Sequence, residues 1–119
     1  MAHNEIVLQR FKHPKFVQKT SATAVGCAGS RVAGALVEIH LDLDDGVIQA
    51  GFRAYGCPAT VASADWLAEA VDGTPLEQVS PDRQAVAKAL SLSASRQHCA
   101  ALACEALQKA LGSLKNSKK

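Results

Sequence analysis

Cys27, Cys57, Cys99 and Cys104, together with His98 beside Cys99, have the widest chemical range of any residues in this 119-residue chain. A cysteine thiolate is both a nucleophile and a soft metal ligand. Sulfur ligands with an imidazole suit an iron–sulfur cluster, zinc or copper(I), and suit magnesium or calcium poorly. None of the four cysteines forms a C-x-x-C pair, so a zinc knuckle or dithiol redox motif has no local support and any shared site must be assembled by the fold. The chain has no phosphate-binding loop, no G-x-G-x-x-G and no H-E-x-x-H, and no Ser/His/Asp arrangement stands out, so hydrolase, kinase and dehydrogenase readings have no anchor. A thiol-dependent enzyme, with Cys57 or Cys99 as nucleophile and His98 as base, is the one enzymatic alternative, and enzyme is not the favoured class. The competing reading of each cysteine is packing, because cysteine is among the most buried residue types. His13 lies in a basic segment and His40 on the polar face of a strand, and both read as ordinary surface residues.

Two of the cysteines fall where a helix should begin. At Gly56-Cys57-Pro58 the hydrophobic period changes from two to 3.6, and Pro58 suits the first helical position, where its missing N–H costs nothing. That helix is predicted to reach about Val71, with Gly73 closing it. Ser93 or Ser95 caps a final helix running to about Leu114, with Cys99, Ala103, Ala106, Leu107, Ala110 and Leu114 on one face. His98 and Cys99 then lie in its first turns, while Cys104 sits about 140° around the helix from Cys99 and reads as packing. Unpaired amides and the macrodipole favour thiolate at a helix start. Should the two helix starts lie side by side, Cys57, His98 and Cys99 converge.

Upstream, Val37, Ile39, Leu41 and Leu43 alternate with Glu38, His40, Asp42 and Asp44 in a half-buried strand. Asp44-Asp45-Gly46 supplies the turn, and Ile48, Ala50, Phe52 and Ala54 continue the alternation in a second, antiparallel strand with one face wet. Residues 1–33 read as a short helix followed by a mobile loop over the small-residue stretch Thr20 to Gly34. Thr74-Pro75-Leu76-Glu77 and Ser80-Pro81 each open a short helix, the second reaching about Leu90, and 115–119 reads as a flexible basic tail. Residues 1–119 are expected to form one domain.

With 48% hydrophobic residues, 20% charged residues and a net charge of +2, neither disorder nor a strongly electrostatic nucleic-acid binder is favoured. The body, residues 20–114, carries 6 basic and 10 acidic residues, and the ends carry 7 basic and 1 acidic, a distribution read mainly as solvated ends. No apolar run has membrane length, and Ile6-Val7-Leu8 after Glu5 does not read as a signal peptide. A cytoplasmic location with reduced thiols is expected.

The hairpin Val37 to Ala54, the block Phe52-Arg53-Ala54-Tyr55-Gly56-Cys57-Pro58-Ala59-Thr60-Val61-Ala62-Ser63, Leu76-Glu77-Gln78-Val79, and His98-Cys99 with Ala103 and Glu105-Ala106-Leu107 resemble the U-type iron–sulfur cluster assembly scaffolds of the IscU and NifU N-terminal kind. The resemblance spans roughly residues 35 to 112, and the separation of 42 residues between Cys57 and Cys99 is part of it. It implies an α+β fold, a small antiparallel three-stranded sheet packed against four to five helices. It also implies a scaffold that accepts sulfur from a cysteine desulfurase, builds a [2Fe–2S] cluster and passes it to apo-proteins, with zinc as another occupant. Cys57 matches the family's second cysteine, Cys99 the third and His98 the neighbouring histidine. The family's first cysteine stands in a C-G-D motif that falls at Arg31-Val32-Ala33 here, and Cys27, four residues earlier, is the candidate to replace it. The family's L-P-P-V-K segment falls at Leu92-Ser93-Ala94-Ser95-Arg96, without the prolines or the lysine, which argues against dependence on the dedicated Hsp70. The missing C-G-D motif supports an alternative, a zinc-binding or sulfur-accepting partner of the desulfurase that no longer assembles clusters.

Overall fold

The computed structural model describes residues 4–17, 23–30, 32, 34–79 and 82–117. In chain order these form α1 (Glu5–Lys12), β1 (Ala24–Ser30), β2 (Ala35–Asp44), β3 (Val47–Tyr55), α2 (Pro58–Val71), a 3-10 turn (Leu76–Gln78), α3 (Arg83–Ala89), a second 3-10 turn (Ala94–Arg96) and α4 (Gln97–Ser117). The fold is α+β, with a three-stranded antiparallel sheet in the order β1-β2-β3. No described helix is long and apolar enough to cross a membrane.

The β2–β3 hairpin follows the alternation seen in the sequence. Asp45 and Gly46 take φ of 55° and 81°, the double left-handed geometry of a two-residue hairpin turn whose twist matches the strands. The register runs from Asp44 opposite Val47 to Leu36 opposite Tyr55. Val37, Ile39 and Leu41 of β2 join Ile48 and Phe52 of β3 in the core. The other face is less wet than expected, because His40 is 6% exposed and its Nε2 lies 3.1 Å from Glu38 Oε1.

The stretch expected to be a loop contains β1, and this is the main departure from the sequence reading. Ala24 to Ser30 pair with Leu41 to Ala35. The strand escapes a hydrophobic-alternation test because its inward residues are Ala24, Gly26 and Ala28, all small. The reason is steric: a Cβ on Gly26 would stand 2.1 Å from Ala106 O and 2.2 Å from Ala110 N, so the backbone of α4 rests directly on the strand. Residues 20–22, Arg31 and Ala33 of the same stretch lie outside the described residues.

The helices differ from expectation mainly at their ends. α4 begins at Gln97, after a 3-10 turn whose N-cap is Ser93, and continues to Ser117, three residues past the predicted end. Lys118 and Lys119 lie outside the described residues, as do Ser80 and Pro81. The N-cap of α3 is Asp82, whose side chain accepts from the Gln84 and Ala85 amides. Cys104 is buried, as its place on α4 suggests, and burial with the nearby Asp82 charge pushes its thiol pKa up.

The basic N-terminal segment is held in the fold. Asn4 caps α1 through the Val7 amide and donates from Nδ2 to Leu90 O and Ser91 O, pinning the helix start to the end of α3. Arg10 forms ion pairs with Asp65 Oδ2 at 2.9 Å and Glu69 Oε1 at 2.8 Å, so it is not the free solvated charge expected from the sequence. Asp65 is fully buried on α2, and its Oδ1 also accepts the Lys15 and Phe16 amides at 2.8 and 2.9 Å. The Phe52 amide donates to Phe16 O, and Val17 bridges Phe52 in parallel, laying the segment along the outer edge of β3. Replacing Asp65 by alanine leaves Arg10 without its buried partner and orphans two amides, so unfolding free energy should fall by about 3 kcal/mol. Urea denaturation checks this, and an unchanged midpoint would refute the clasp.

Candidate functional site

β3 ends at Tyr55, and the chain must turn sharply to start α2. Gly56 makes the turn with φ of 145°, and a Cβ there would meet Thr60 Oγ1 at 3.2 Å and the Ala35 Cα at 3.3 Å. Cys57 is therefore the N-cap of α2, in extended conformation, with Pro58 in the first turn. Its carbonyl accepts the Thr60 amide at 2.9 Å, which begins the helix.

The start of α4 lies beside this turn, and it brings the two predicted cysteines into contact. Cys57 Sγ and Cys99 Sγ are 3.8 Å apart. Thr60 Oγ1, on a side chain 1% exposed, stands 3.5 Å from each sulfur. His98 Nε2 is 3.6 Å from Cys99 Sγ, and Arg96 Nη1 is 3.9 Å from Cys57 Sγ. Cys57 is half-buried, Cys99 is fully buried and His98 is exposed. The sequence reading does not single out Thr60 or Arg96 as site residues. Thr60 carries a usable signal, because it lies one helical turn after Cys57 and faces the same direction. Arg96 carries none, since its approach to Cys57 depends on how α4 docks.

The two thiols are electrostatically unlike. Burial opposes ionisation of Cys57, but the Thr60 hydroxyl, the Thr60 and Ala59 amides at the helix start and the Cys99 thiol outweigh it, and the pKa falls below the ordinary thiol value. Burial dominates at Cys99, and the neighbouring Cys57 charge adds to it against the help of Thr60 and Arg96, so that pKa rises. Cys57 is thus the more accessible and more readily ionised thiol, and Cys99 lies behind it.

Cys27 is placed elsewhere. It sits in edge strand β1 opposite Glu38, exposed between the buried Gly26 and Ala28, and so points away from the face that α4 covers. Burial and then the Glu38 carboxylate raise its pKa. The row nearest Cys57 is Gly29–Leu36–Tyr55, so the turn that follows β1 lies at the end of the sheet that leads into the site. Of the Arg31-Val32-Ala33 positions in that turn only Val32 is described, and it is fully exposed. Among the described residues no group of three or more His, Cys, Asp and Glu side chains is arranged to hold a metal ion.

The spacing of the pair is nevertheless that of metal ligands. Two sulfurs bound at about 2.3 Å to one tetrahedral ion lie roughly 3.8 Å apart, and a sulfur and an imidazole nitrogen roughly 3.6 Å apart. Both separations occur here, across Cys57–Cys99 and Cys99–His98.

The NifU-like N-terminal domain family matches residues 2–119. The chain belongs to that family. It is 30% identical over 122 residues to the iron–sulfur cluster assembly scaffold protein IscU of Haemophilus influenzae, covering 97% of each. It is also 33% identical over 113 residues to the iron–sulfur cluster assembly scaffold protein IscU 1 of Archaeoglobus fulgidus, covering 92% of this chain and 74% of the relative. The crystal structure of a nitrogen-fixing NifU-like protein (N-terminal) from Brucella abortus superposes with a TM-score of 0.71 at 16% identity, covering 95% of this chain and 94% of that one.

The lowered pKa of Cys57 sets an order of reactivity. Thiolate forms at Cys57 at lower pH than at Cys27, Cys99 or Cys104, all of which are raised. Iodoacetamide at neutral pH should therefore label Cys57 first, with a rate that rises with pH through a lower midpoint than the others. Peptide mass spectrometry of the time course checks this, and first labelling at the more exposed Cys27 would refute the assignment.

Proposed function

We propose that this chain is an iron–sulfur cluster assembly scaffold: it accepts sulfur on a thiolate from a cysteine desulfurase, holds iron and the growing cluster at Cys57 and Cys99, and gives the cluster up to apo-proteins. The observation that carries this reading is the 3.8 Å separation of the two sulfurs, which already matches two corners of a tetrahedral iron site. His98 supplies a third corner on the Cys99 side, and a two-iron [2Fe–2S] cluster is the cargo proposed. The accessible, more readily ionised Cys57 is where sulfur arrives. Half-burial of Cys57 and exposure of His98 leave the cargo reachable, as transfer requires.

Cys27 is a ligand in this reading only when the edge of β1 peels from β2, and the seven-residue pairing of Ala24–Ser30 opposes that. The sequence at 31–33 lacks the cysteine and aspartate of the resembled motif, an observation that favours a second reading as a zinc-binding sulfur acceptor. Zinc takes the same tetrahedral sulfur and nitrogen donors. We place either activity in the cytoplasm, and we take it as independent of the L-P-P-V-K-reading Hsp70 because Leu92-Ser93-Ala94-Ser95-Arg96 lacks the prolines and the lysine.

Anaerobic reconstitution with iron and desulfurase-generated sulfide separates the two readings. A visible charge-transfer spectrum with nearly equal bound iron and sulfide is expected, and Cys57→Ser should abolish it. Stoichiometric zinc with no chromophore would overturn the scaffold reading in favour of the second.

A further inference from the structure

The same pair of thiols is arranged to do a second thing when no metal lies between them. We propose that Cys99 resolves a persulfide carried on Cys57, releasing hydrosulfide and leaving a Cys57–Cys99 disulfide. The inference rests on the reading above only in that Cys57 accepts sulfur.

Four features carry it. At 3.8 Å the two sulfurs are close to van der Waals contact, so forming a bond requires them to close by about 1.8 Å to the disulfide length. Their exposures are unequal: an external donor reaches half-buried Cys57, whereas Cys99 is sealed behind it and meets only a sulfur that Cys57 has already taken up. Thr60 Oγ1, at 3.5 Å from both, keeps them facing one another. The flanking groups sit where the reaction moves charge, with His98 Nε2 3.6 Å from the attacking sulfur and the Arg96 guanidinium 3.9 Å from the sulfur attacked.

The step balances. The Cys99 S–H proton passes to His98 Nε2, and the Cys99 sulfur attacks Cys57 Sγ. The bond from Cys57 Sγ to the terminal sulfur breaks, and that sulfur leaves with the electron pair as hydrosulfide, next to the Arg96 cation. The terminal sulfur is reduced to sulfide, and the two cysteine sulfurs are oxidised to the disulfide. A dithiol reductant of the thioredoxin class must restore the pair before another round. Iron held by both sulfurs would block the attack, so this route drains persulfide from metal-free protein.

The test uses the full chain, reduced, stripped of metal by a chelator and desalted anaerobically, with one equivalent of glutathione persulfide as the sulfur donor. Wild-type protein should release near-stoichiometric sulfide and lose two hydrogens in mass, with fragmentation locating a Cys57–Cys99 link. Cys99→Ser and Cys99→Ala, checked for unchanged thermal unfolding, should retain one added sulfur on Cys57 and release sulfide about tenfold more slowly. Wild-type protein that keeps the added sulfur without the cross-link would overturn the resolving role. So would Cys99 variants that release sulfide at the wild-type rate. Should these variants take up no sulfur at Cys57, sulfur acceptance itself fails, and the proposal falls with it.

Discussion

The backbone of α4 lies directly on Gly26, and the position of the candidate site follows from that contact. Ala106 O and Ala110 N occupy the space a side chain would need, so α4 sits lower on the sheet than a branched or aromatic residue would allow. Ala103, Ala106 and Ala110 on the helix face the equally small Ala24 and Ala28, and all five are buried. Small residues on both surfaces set the depth and the axial position of a long, stiff helix. Cys99 lies two turns before Ala106, so fixing the middle of α4 also fixes the height of its first turn against α2.

From that placement comes the asymmetry of the two thiols. Cys57 follows the turn after β3 and starts α2, so it meets amides and a hydroxyl that favour negative charge. Cys99 arrives on the buried face of a different helix and has less to offset its burial. Two chemically identical side chains 3.8 Å apart thus differ, one more readily ionised and within reach of solvent, the other enclosed behind it. Arg96 adds positive charge at the mouth of the pair.

The N-terminal segment shows how the fold closes its other side. Asp65 is a carboxylate buried on α2, and it is tolerable there because a guanidinium and two amides meet it. Those partners come from residues 10 to 16, some fifty positions away in the sequence. The clasp covers the edge of β3, and β1, where Cys27 is found, is the opposite edge strand of the sheet.

Much of this is legible in the sequence because its signals are local. The β2–β3 hairpin is written in strict alternation around Asp45-Gly46, and the start of α2 in Gly56-Cys57-Pro58. The core face of α4 is written in the spacing of Cys99, Ala103, Ala106, Leu107, Ala110 and Leu114. Residue types at Cys57, His98 and Cys99 declare soft-ligand chemistry, and the resemblance joins them into one site. Strand β1 is not legible, because Ala and Gly in its inward positions are small for the sake of a helix that arrives some eighty residues later. Nor is the burial of Asp65, whose partners are scattered along a segment that reads as a solvated basic end. Most of the elements, and the atoms able to bind metal or sulfur, are readable from the chain, since backbone propensity and side-chain chemistry act over a few residues. That Cys57 and Cys99 touch, that Thr60 and Arg96 attend them and that Cys27 faces away are matters of packing, because those outcomes depend on how deeply one helix seats on one glycine.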